Sequence, residues 1–336
     1  RVSINCGALD HSVIPTKLYL KSLVEKIENL IRRMRWKAHF FDSNDNENDS
    51  SDNFCFKSNA TPPQKEHLNA FENELYEMER SIEYRLSNNI FEEQKSQDIK
   101  KIKDTDSIFV SADKTTNIYK MQVDDYNKLL TENITKTYKK SNKSKVRTIN
   151  LEAKKIAKEL KLDDRIGQFA DKMAYITIKD HKDNFLNNTK CRLINPAKSE
   201  IGIISKTYLE KINDNIRQRT KLNQWKNTSS VISWFKDIAS KENSKFIKFD
   251  IVDFYPSITE QLLTKALDYA RSIDAIDANI VNIIMHSRKS LLFDKENVWV
   301  KKENSDFDVT MGSYDGAALC ELTGLYILSI LSNEFG

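Results

Sequence analysis

The stretch from Lys245 to Ile258, KFIKFDIVDFYPSI, is the most informative part of this 336-residue chain. Its alternating apolar residues predict a β-strand over 246–251, with one face packed against a layer of helices. On such a strand Asp250 projects from the opposite face at the end, and Asp253 and Tyr255 follow where the chain turns into a helix. A buried carboxylate there must be paired or bound to a metal, because burying it alone is costly.

These residue types suit the chemistry of nucleotidyl transfer. Two magnesium ions about 3.5–4 Å apart can bind an attacking hydroxyl and a triphosphate together, and magnesium prefers carboxylate and phosphate oxygens. Asp250 is therefore a candidate magnesium ligand, and the ring of Tyr255 can pack beneath a sugar and exclude a 2′-hydroxyl. The alternative is that the Asp-x-x-Asp spacing of Asp250 and Asp253 serves only to cap a helix.

A second segment combines two predicted strands with cations. Residues 174–178 and 191–194 predict a strand pair around a polar loop, and the cations on this flap are Lys179, His181, Lys182, Lys190 and Arg192. Lysine and arginine on a flap can hold a triphosphate, since arginine grips phosphate oxygens with two hydrogen bonds. The alternative is a polar hairpin that carries ordinary surface charges.

A third segment, TMGSYDGA at 310–317, places small residues just before an apolar helix predicted from about Asp315 to Leu331. Small residues allow the backbone to approach a base or sugar closely. The alternative is an ordinary turn at the entry of a helix.

The overall charge permits nucleic-acid binding without requiring it. The chain has 53 basic and 49 acidic residues, a net charge of +4, which is mildly basic. The stretch from Lys136 to Arg147 is predicted to be a solvated loop, and the alternative is a segment that contacts phosphates. The candidate contacts in it are Lys139, Lys140, Lys143 and Lys145.

Composition also indicates the fold class and the compartment. Seven Gly and five Pro are few and favour long helices over turn-rich barrels or glycine-rich dinucleotide folds. Four cysteines far apart suggest neither a disulfide framework nor a zinc site, which fits an intracellular protein of the nucleus or cytoplasm. The apolar stretch 317–331 is shorter than a membrane span, so no membrane association is expected.

Periodicity predicts the remaining elements. Helices are expected at 15–40, 64–100 (one helix or a helical hairpin), 124–133, 151–172, 206–219, 228–240, 259–271 and 276–288. Hairpins are expected from 108–110 with 118–121 and from 291–293 with 297–301, and the acidic run 42–54 is expected to be a solvated loop.

The three chemical segments, in this order and spacing, resemble a reverse transcriptase, the RNA-directed DNA polymerase of a retroelement. The resemblance covers about residues 107–336, and the upstream Ala112-Asp113-Lys114 and Asp124-Asp125-Tyr126 are similar to Penelope-like elements in particular. It implies an α+β fold with a helix-rich N-terminal extension (1–105), right-hand polymerase fingers (106–245) and a partial palm (246–336). The chain departs from the family at Leu193, where proline is common, and after Ser313, where a proline often follows.

The resemblance also implies residue roles and partners. Asp250 would be the first catalytic metal ligand, helped by the Ile251 carbonyl, with two Mg²⁺ ions in the complete enzyme. The residues expected to touch the nucleotide are Asp253 beside the triphosphate, Tyr255 as steric gate, Arg192 with Lys179 or Lys182, and Met311 and Gly312; Ser313 would face the template. The implied partners are an RNA or DNA template, a DNA primer and deoxynucleoside triphosphates.

One element of that family has no counterpart at its usual place. The family's aromatic-x-Asp-Asp hairpin follows the Met-Gly-Ser helix, where this sequence stops, and Val123-Asp124-Asp125 is interpreted as a strand end followed by a helix start. We therefore expect this chain by itself to be inactive in nucleotidyl transfer, because it lacks a ligand set for two ions. The alternative is a non-catalytic, nucleic-acid-binding remnant of a polymerase fold.

Overall fold

The computed structural model describes most of the chain. The described residues are 17–42, 60–82, 90–103, 106–163, 166, 172–185, 187–222, 225, 227–243, 245, 250–295, 297–302 and 306–335. They form two compact units: the described residues within 17–129 and 178–190 belong to the first, and those within 130–177 and 191–335 belong to the second. The predicted domain boundaries near 105 and 245 stay predictions.

The first unit combines helices with a β-hairpin. Its elements are α1 (Lys17–Asp42), a 3₁₀ turn (Glu66–Leu68), α2 (Asn69–Ser81), α3 (Ile90–Lys103), β1 (Ser107–Ser111), β2 (Ile118–Gln122) and the start of α4 (Val123–Thr137). β1 and β2 are antiparallel, with Ser107 opposite Gln122 and Ser111 opposite Ile118. The predicted helix at 15–40 and the hairpin are thus confirmed, and the stretch 64–100 contains two helices. Most of the acidic run 42–54 lies outside the described residues.

The second unit is mainly helical with two small sheets. Its elements are β3 (Tyr138–Ser141), α5 (Ser144–Glu159), β4 (Tyr175–Ile178), β5 (Cys191–Ile194), α6 (Glu200–Thr220), α7 (Thr228–Asp237), a 3₁₀ turn (Lys241–Asn243), α8 (Phe254–Ser257), α9 (Glu260–Ile273), α10 (Ala278–His286), β6 (Leu292–Asp294), β7 (Asn297–Lys301) and α11 (Gly316–Phe335). The strand orders are β3-β7-β6 and β4-β5. The predicted mixture of helices and strands is therefore correct.

Several helices of the second unit have a side-chain cap at their first turn. Ser199 accepts from the Gly202 amide at the start of α6, Thr259 accepts from Leu262 before α9, and Asp277 accepts from Asn279 before α10. Each cap satisfies one of the amides that a first helical turn leaves without a partner. The helix starts thus follow from short polar residues placed just before apolar runs.

The main core of the second unit lies between α6, α9, α10 and α11. α11 supplies Leu319, Leu322 and Leu325, whose side chains are all fully buried. A helix that is apolar on nearly every side belongs in the centre of such a layer. The core therefore positions the start of α11, and with it the turn that precedes this helix.

Length alone does not exclude a membrane span for α11. Within the described residues it is the one helix that is long and apolar enough to cross a membrane, although the 15-residue run in the sequence looks too short. Such composition is also that of a buried core helix, and Leu322 is completely buried against its neighbours. The absence of a membrane stays a prediction.

Three predictions about local structure are wrong. The basic stretch 136–147 is not a loop, because Tyr138 is buried and pairs opposite Lys301 of β7, and α5 begins at Ser144. The helix predicted at 151–172 ends at Glu159, before Lys161 with its left-handed φ of 56°. The strand predicted at 246–251 does not include Asp250 or Ile251, which have no regular structure; 246–249 lie outside the described residues.

Replacing Leu322 with alanine is expected to destabilise the second unit by about 2–5 kcal/mol, the usual cost of emptying a buried leucine site. The matched control is Ile330→Ala on the same helix, whose side chain is 39% exposed. Urea unfolding should show a change of roughly 0.5 kcal/mol or less for the control. Equal losses for both variants would contradict the central position of Leu322.

A partly buried ion pair in the first unit gives a pH-dependent prediction. Arg35 Nε lies 2.7 Å from Glu72 Oε1, and this hydrogen bond lowers the pKa of Glu72 against the opposing effect of burial. Stability gained from a lowered carboxyl pKa is present above the unfolded pKa and is lost as pH falls through the folded pKa.

We therefore expect Glu72→Gln to destabilise the first unit by about 1–3 kcal/mol near neutral pH, since Arg35 loses its charged partner. The difference between variant and parent should shrink in acid, where the parent carboxylate is protonated too. Urea midpoints measured across an acidic pH series check this. A difference that stays constant down to the lowest pH would show that charge is not its cause.

Candidate nucleotide-binding site

Asp250 and Ile251 are exposed at the surface of the second unit. Ile251 is 46% exposed and Val252 81%, so the expectation that Ile251 packs its side chain against a helix layer is wrong. Asp250 needs neither a metal nor a charged partner to offset burial, because it is exposed to water. Its predicted role as metal ligand stays a prediction that rests on family resemblance.

Asp253 lies at the turn into α8 in a left-handed conformation, with φ of 50° and ψ of 50°. Aspartate is one of the few residue types that tolerate this region. Its side chain makes no capping hydrogen bond to α8, so the helix-cap alternative is not observed for Asp253. The side chain is exposed, and its proximity to a triphosphate stays a prediction.

Tyr255 is half-buried and packs against the start of α11. A Cβ atom built on Gly316 would lie 3.2 Å from Tyr255 Cε1, so the missing side chain makes room for the ring. A hydrogen bond joins the Tyr255 hydroxyl to the Cys320 thiol. Burial is the main cause that raises the pKa of Tyr255, and it raises the pKa of Cys320 to about 12. Both groups are therefore neutral at physiological pH.

The backbone of α8 is attached to the three-stranded sheet. Lys301 Nζ of β7 donates to the Pro256 carbonyl at 3.0 Å and lies 3.8 Å from Asp308 Oδ1. The Tyr138 hydroxyl of β3 donates to Asp308 Oδ2 at 2.6 Å. Burial raises the pKa of Asp308 against the opposing effects of Tyr138 and Lys301. These contacts hold the short helix that carries Tyr255.

The Met311-Gly312-Ser313 turn lies directly against the end of β5. Gly312 has a φ of +119°, and a Cβ there would lie 2.6 Å from the Asn195 carbonyl oxygen. The Asn195 amide donates to the Met311 carbonyl at 3.0 Å. Only glycine combines this φ with so close an approach of backbone to backbone. The glycine of this segment is thus required by the fold.

Three of the predicted segments therefore meet in the second unit. Arg192 lies on β5, three residues before Asn195, and its charge lowers the pKa of Tyr255 slightly against the stronger effect of burial. Tyr255 in turn touches Gly316 just after the Met-Gly-Ser turn. Residues that are more than fifty positions apart in sequence thus lie next to one another in this unit.

A buried ion pair at the same place was not recognised in the sequence. Arg288 and Asp315, with exposures of 1% and 0%, form a salt bridge, and Ser287 Oγ donates to Asp315 Oδ2 at 2.8 Å. Asp315 directly precedes α11 and its carbonyl accepts from the Leu319 amide. A charged residue just before an apolar helix is a weak signal, and Arg288 gives no local signal at all.

The flap lysines belong to the first unit. The Lys179 amide donates to the Lys190 carbonyl at 2.8 Å, which closes the loop, and the Lys182 side chain is exposed. Between them Asp180 accepts hydrogen bonds from the β1–β2 hairpin, through Thr115 Oγ1, Asn117 Nδ2 and Tyr119 OH. The bond from Thr115 contributes most to lowering the pKa of Asp180. Sequence analysis did not identify this anchoring role.

The predicted nucleic-acid lysines differ in their surroundings. Lys139 and Lys140 are exposed on β3, with Lys140 Nζ 5.7 Å from the centre of the Trp299 ring. Lys143 is exposed before α5, whereas Lys145 forms a salt bridge of 2.5 Å with Asp306. The charge of Lys145 is therefore partly neutralised, and the phosphate contacts of all four lysines stay predictions.

The described residues do not provide a ligand set for two metal ions. No group of three His, Cys, Asp or Glu side chains within the described part of the chain could share an ion. Asp124 and Asp125 lie in the first turn of α4, which confirms their interpretation as a helix start. No catalytic step through magnesium is therefore derived from these residues.

Comparisons of this chain with protein-family models, with curated proteins and with solved structures found no match.

Gly312→Ala is expected to destabilise the second unit by roughly 1–3 kcal/mol or more, because alanine is strained at this φ and its Cβ would clash with the Asn195 carbonyl. Gly202→Ala is the control, because its added Cβ would meet the Ser199 hydroxyl at 3.2 Å and no backbone atom that close. Urea unfolding should show the smaller loss at Gly202. A harmless Gly312→Ala would contradict the described turn.

Proposed function

We propose that this chain is part of a reverse transcriptase, an RNA-directed DNA polymerase of a retrotransposable element similar to Penelope-like elements. The reaction is transfer of a nucleotide from a deoxynucleoside triphosphate to a primer 3′-hydroxyl, directed by an RNA or DNA template. In this proposal residues 106–245 correspond to fingers, 246–336 to part of a palm, and 1–105 to a helical extension. The enzyme works inside the cell, in the nucleus or cytoplasm, without a membrane.

The observation that carries the proposal is the meeting of three chemical segments. The end of β5 touches the Gly312 turn through Asn195, and Tyr255 touches Gly316 just after that turn. A polymerase of this family requires such proximity, because the fingers arginine, the aromatic gate and the glycine turn must all touch one nucleotide. If the three segments had no common role, nothing would require them to lie next to one another in the fold.

The residues have the following proposed roles. Tyr255 packs beneath the sugar, and its support by Gly316 and Cys320 keeps the ring in one orientation. Arg192, with Lys179 or Lys182, holds the triphosphate beside Asp253. Met311 and Gly312 line the base and sugar, Ser313 faces the template, and Lys139, Lys140, Lys143 and Lys145 contact nucleic-acid phosphates.

Magnesium is the proposed cofactor, with two ions in the complete enzyme and Asp250 as one ligand. Because Asp250 is exposed, it is accessible to an ion and to a triphosphate from solvent. Its partner carboxylates would come from outside the described residues. The Ile251 carbonyl is the neighbouring oxygen that the family pattern assigns to the same ion.

The test is primer extension by the full-length product of the reading frame that contains this chain, with magnesium, deoxynucleotides and a primed RNA template. We expect incorporation that Asp250→Asn abolishes, because the variant removes a negative charge while keeping the shape of the side chain. Since Asp250 is exposed, the variant should unfold at the same urea concentration as the parent.

The control substitution is Asp268→Asn, an exposed aspartate on α9 for which neither a catalytic nor a binding role is proposed. It should leave incorporation unchanged. Incorporation that survives Asp250→Asn would overturn the assignment. Primer–template binding without any incorporation by the full-length protein would instead favour the non-catalytic remnant.

A further inference from the structure

Helix α7 presents large apolar side chains to solvent. Trp225 is 43% exposed, Ile232 50% and Phe235 44%, and no residue of α7 is buried. Together with the half-buried Trp234, these residues form what we call the α7 aromatic surface. Adjacent exposed apolar side chains of this size mark an interaction site more often than scattered single ones.

The rings of this surface are held in place before any partner arrives. Asn227 caps α7 by accepting from the Ser230 amide at 2.9 Å, which fixes the start of the helix that carries Trp234 and Phe235. The rings of Trp225 and Trp234 meet with centroids 4.6 Å apart at an angle of 52°. Trp234 thus supports Trp225, whose side chain stays 43% exposed.

Positive charge surrounds these rings. Residues 221–245 contain five lysines but only two acidic residues, Asp237 and Glu242. Lys236 and Lys245 are exposed. Lys241 Nζ lies 5.6 Å from the centre of the Phe235 ring and donates to the Ile238 carbonyl at 2.9 Å. Exposed lysines thus lie in the same segment of the chain as the rings, and one of them, Lys241, contacts the Phe235 ring.

We infer that the α7 aromatic surface binds single-stranded nucleic acid, with bases stacked on Trp225 and Phe235 and phosphates near Lys236 and Lys245. Every base offers a flat face and every linkage a negative charge, so exposed rings accompanied by lysines match a single strand of any sequence. A purely apolar partner would gain nothing from the lysines, and paired bases in a duplex keep their faces covered.

The choice of nucleic acid as partner rests on the proposed function, but the site does not include any residue assigned to catalysis. Its test measures binding by the 336-residue chain, whereas the proposed function is tested by incorporation in the full-length protein. If one of these two experiments gives a negative result, the other therefore still tests its own proposal.

The experiment measures fluorescence anisotropy of labelled oligothymidine and oligouridine with the parent chain, Trp225→Ala and Phe235→Ala. We expect each variant to weaken single-strand binding on the order of 10-fold, the usual effect of removing one stacking ring. Phe41→Ala is the matched control, because Phe41 is an 85% exposed aromatic residue outside the surface, and it should bind like the parent.

Three further variants separate stacking and charge from general hydrophobicity. Trp225→Phe keeps a ring and should restore most binding, whereas Trp225→Leu keeps apolar area without a ring and should not. Lys236→Gln should lower the slope of log Kd against log salt by about 0.7, the value for one phosphate contact on a single strand. Binding of a labelled duplex should change little in Trp225→Ala.

Several outcomes overturn the inference. They are equal single-strand affinity in the parent and all ring variants, no binding of either oligonucleotide at low salt, and equal effects on single strands and duplex. Sedimentation velocity of the same proteins decides the remaining case: self-association that Trp225→Ala abolishes, without any effect on oligonucleotide binding, would assign the surface to a second copy of the chain. Urea unfolding of each variant checks that the fold is retained.

Discussion

A salt bridge that is almost completely shielded from water determines where α11 begins. Asp315 lies directly before this helix and pairs with Arg288, and Ser287 adds a hydrogen bond to the same carboxylate. Removing one partner of such a pair typically costs about 3–5 kcal/mol, because the other charge is left buried without compensation. The register of α11 in the core and the position of the turn before it therefore depend on one another.

The candidate site follows from that constraint. Once Asp315 is held, Gly316 faces the Tyr255 ring, and Gly312 must pass close to the Asn195 carbonyl with a φ of +119°. The Tyr138–Asp308–Lys301 cluster then holds the backbone of α8 through the Pro256 carbonyl. Tyr255 thus has support from both sides, which is the rigidity that a size-selective gate under a sugar would need.

Much of the secondary structure could be predicted because its signals are local. Short polar caps such as Thr259 and Asp277 precede apolar periodic runs, and the hairpin β6–β7 consists of two short apolar runs around a polar turn. The basic stretch at 136–147 was misjudged for the opposite reason: Lys139 and Lys140 dominate its composition, while the decisive contact is the burial of Tyr138 in a strand paired with β7, far along the chain. The end of α5 was also missed, because no glycine or proline marks the left-handed turn at Lys161.

For the candidate site, the sequence alone identified the three candidate segments and the small residues of the Gly312 turn, because these depend on residue type and spacing. It could not show that Asn195 meets the Gly312 turn, that Tyr255 meets Gly316, or that Arg288 pairs with Asp315, because such contacts arise only when distant elements pack into one core. It also predicted a buried carboxylate at residue 250, whereas the fold leaves Asp250 in solvent. Alternation of apolar residues indicates a strand only where a neighbouring backbone is in place to pair with it, and that neighbour is a property of the tertiary structure.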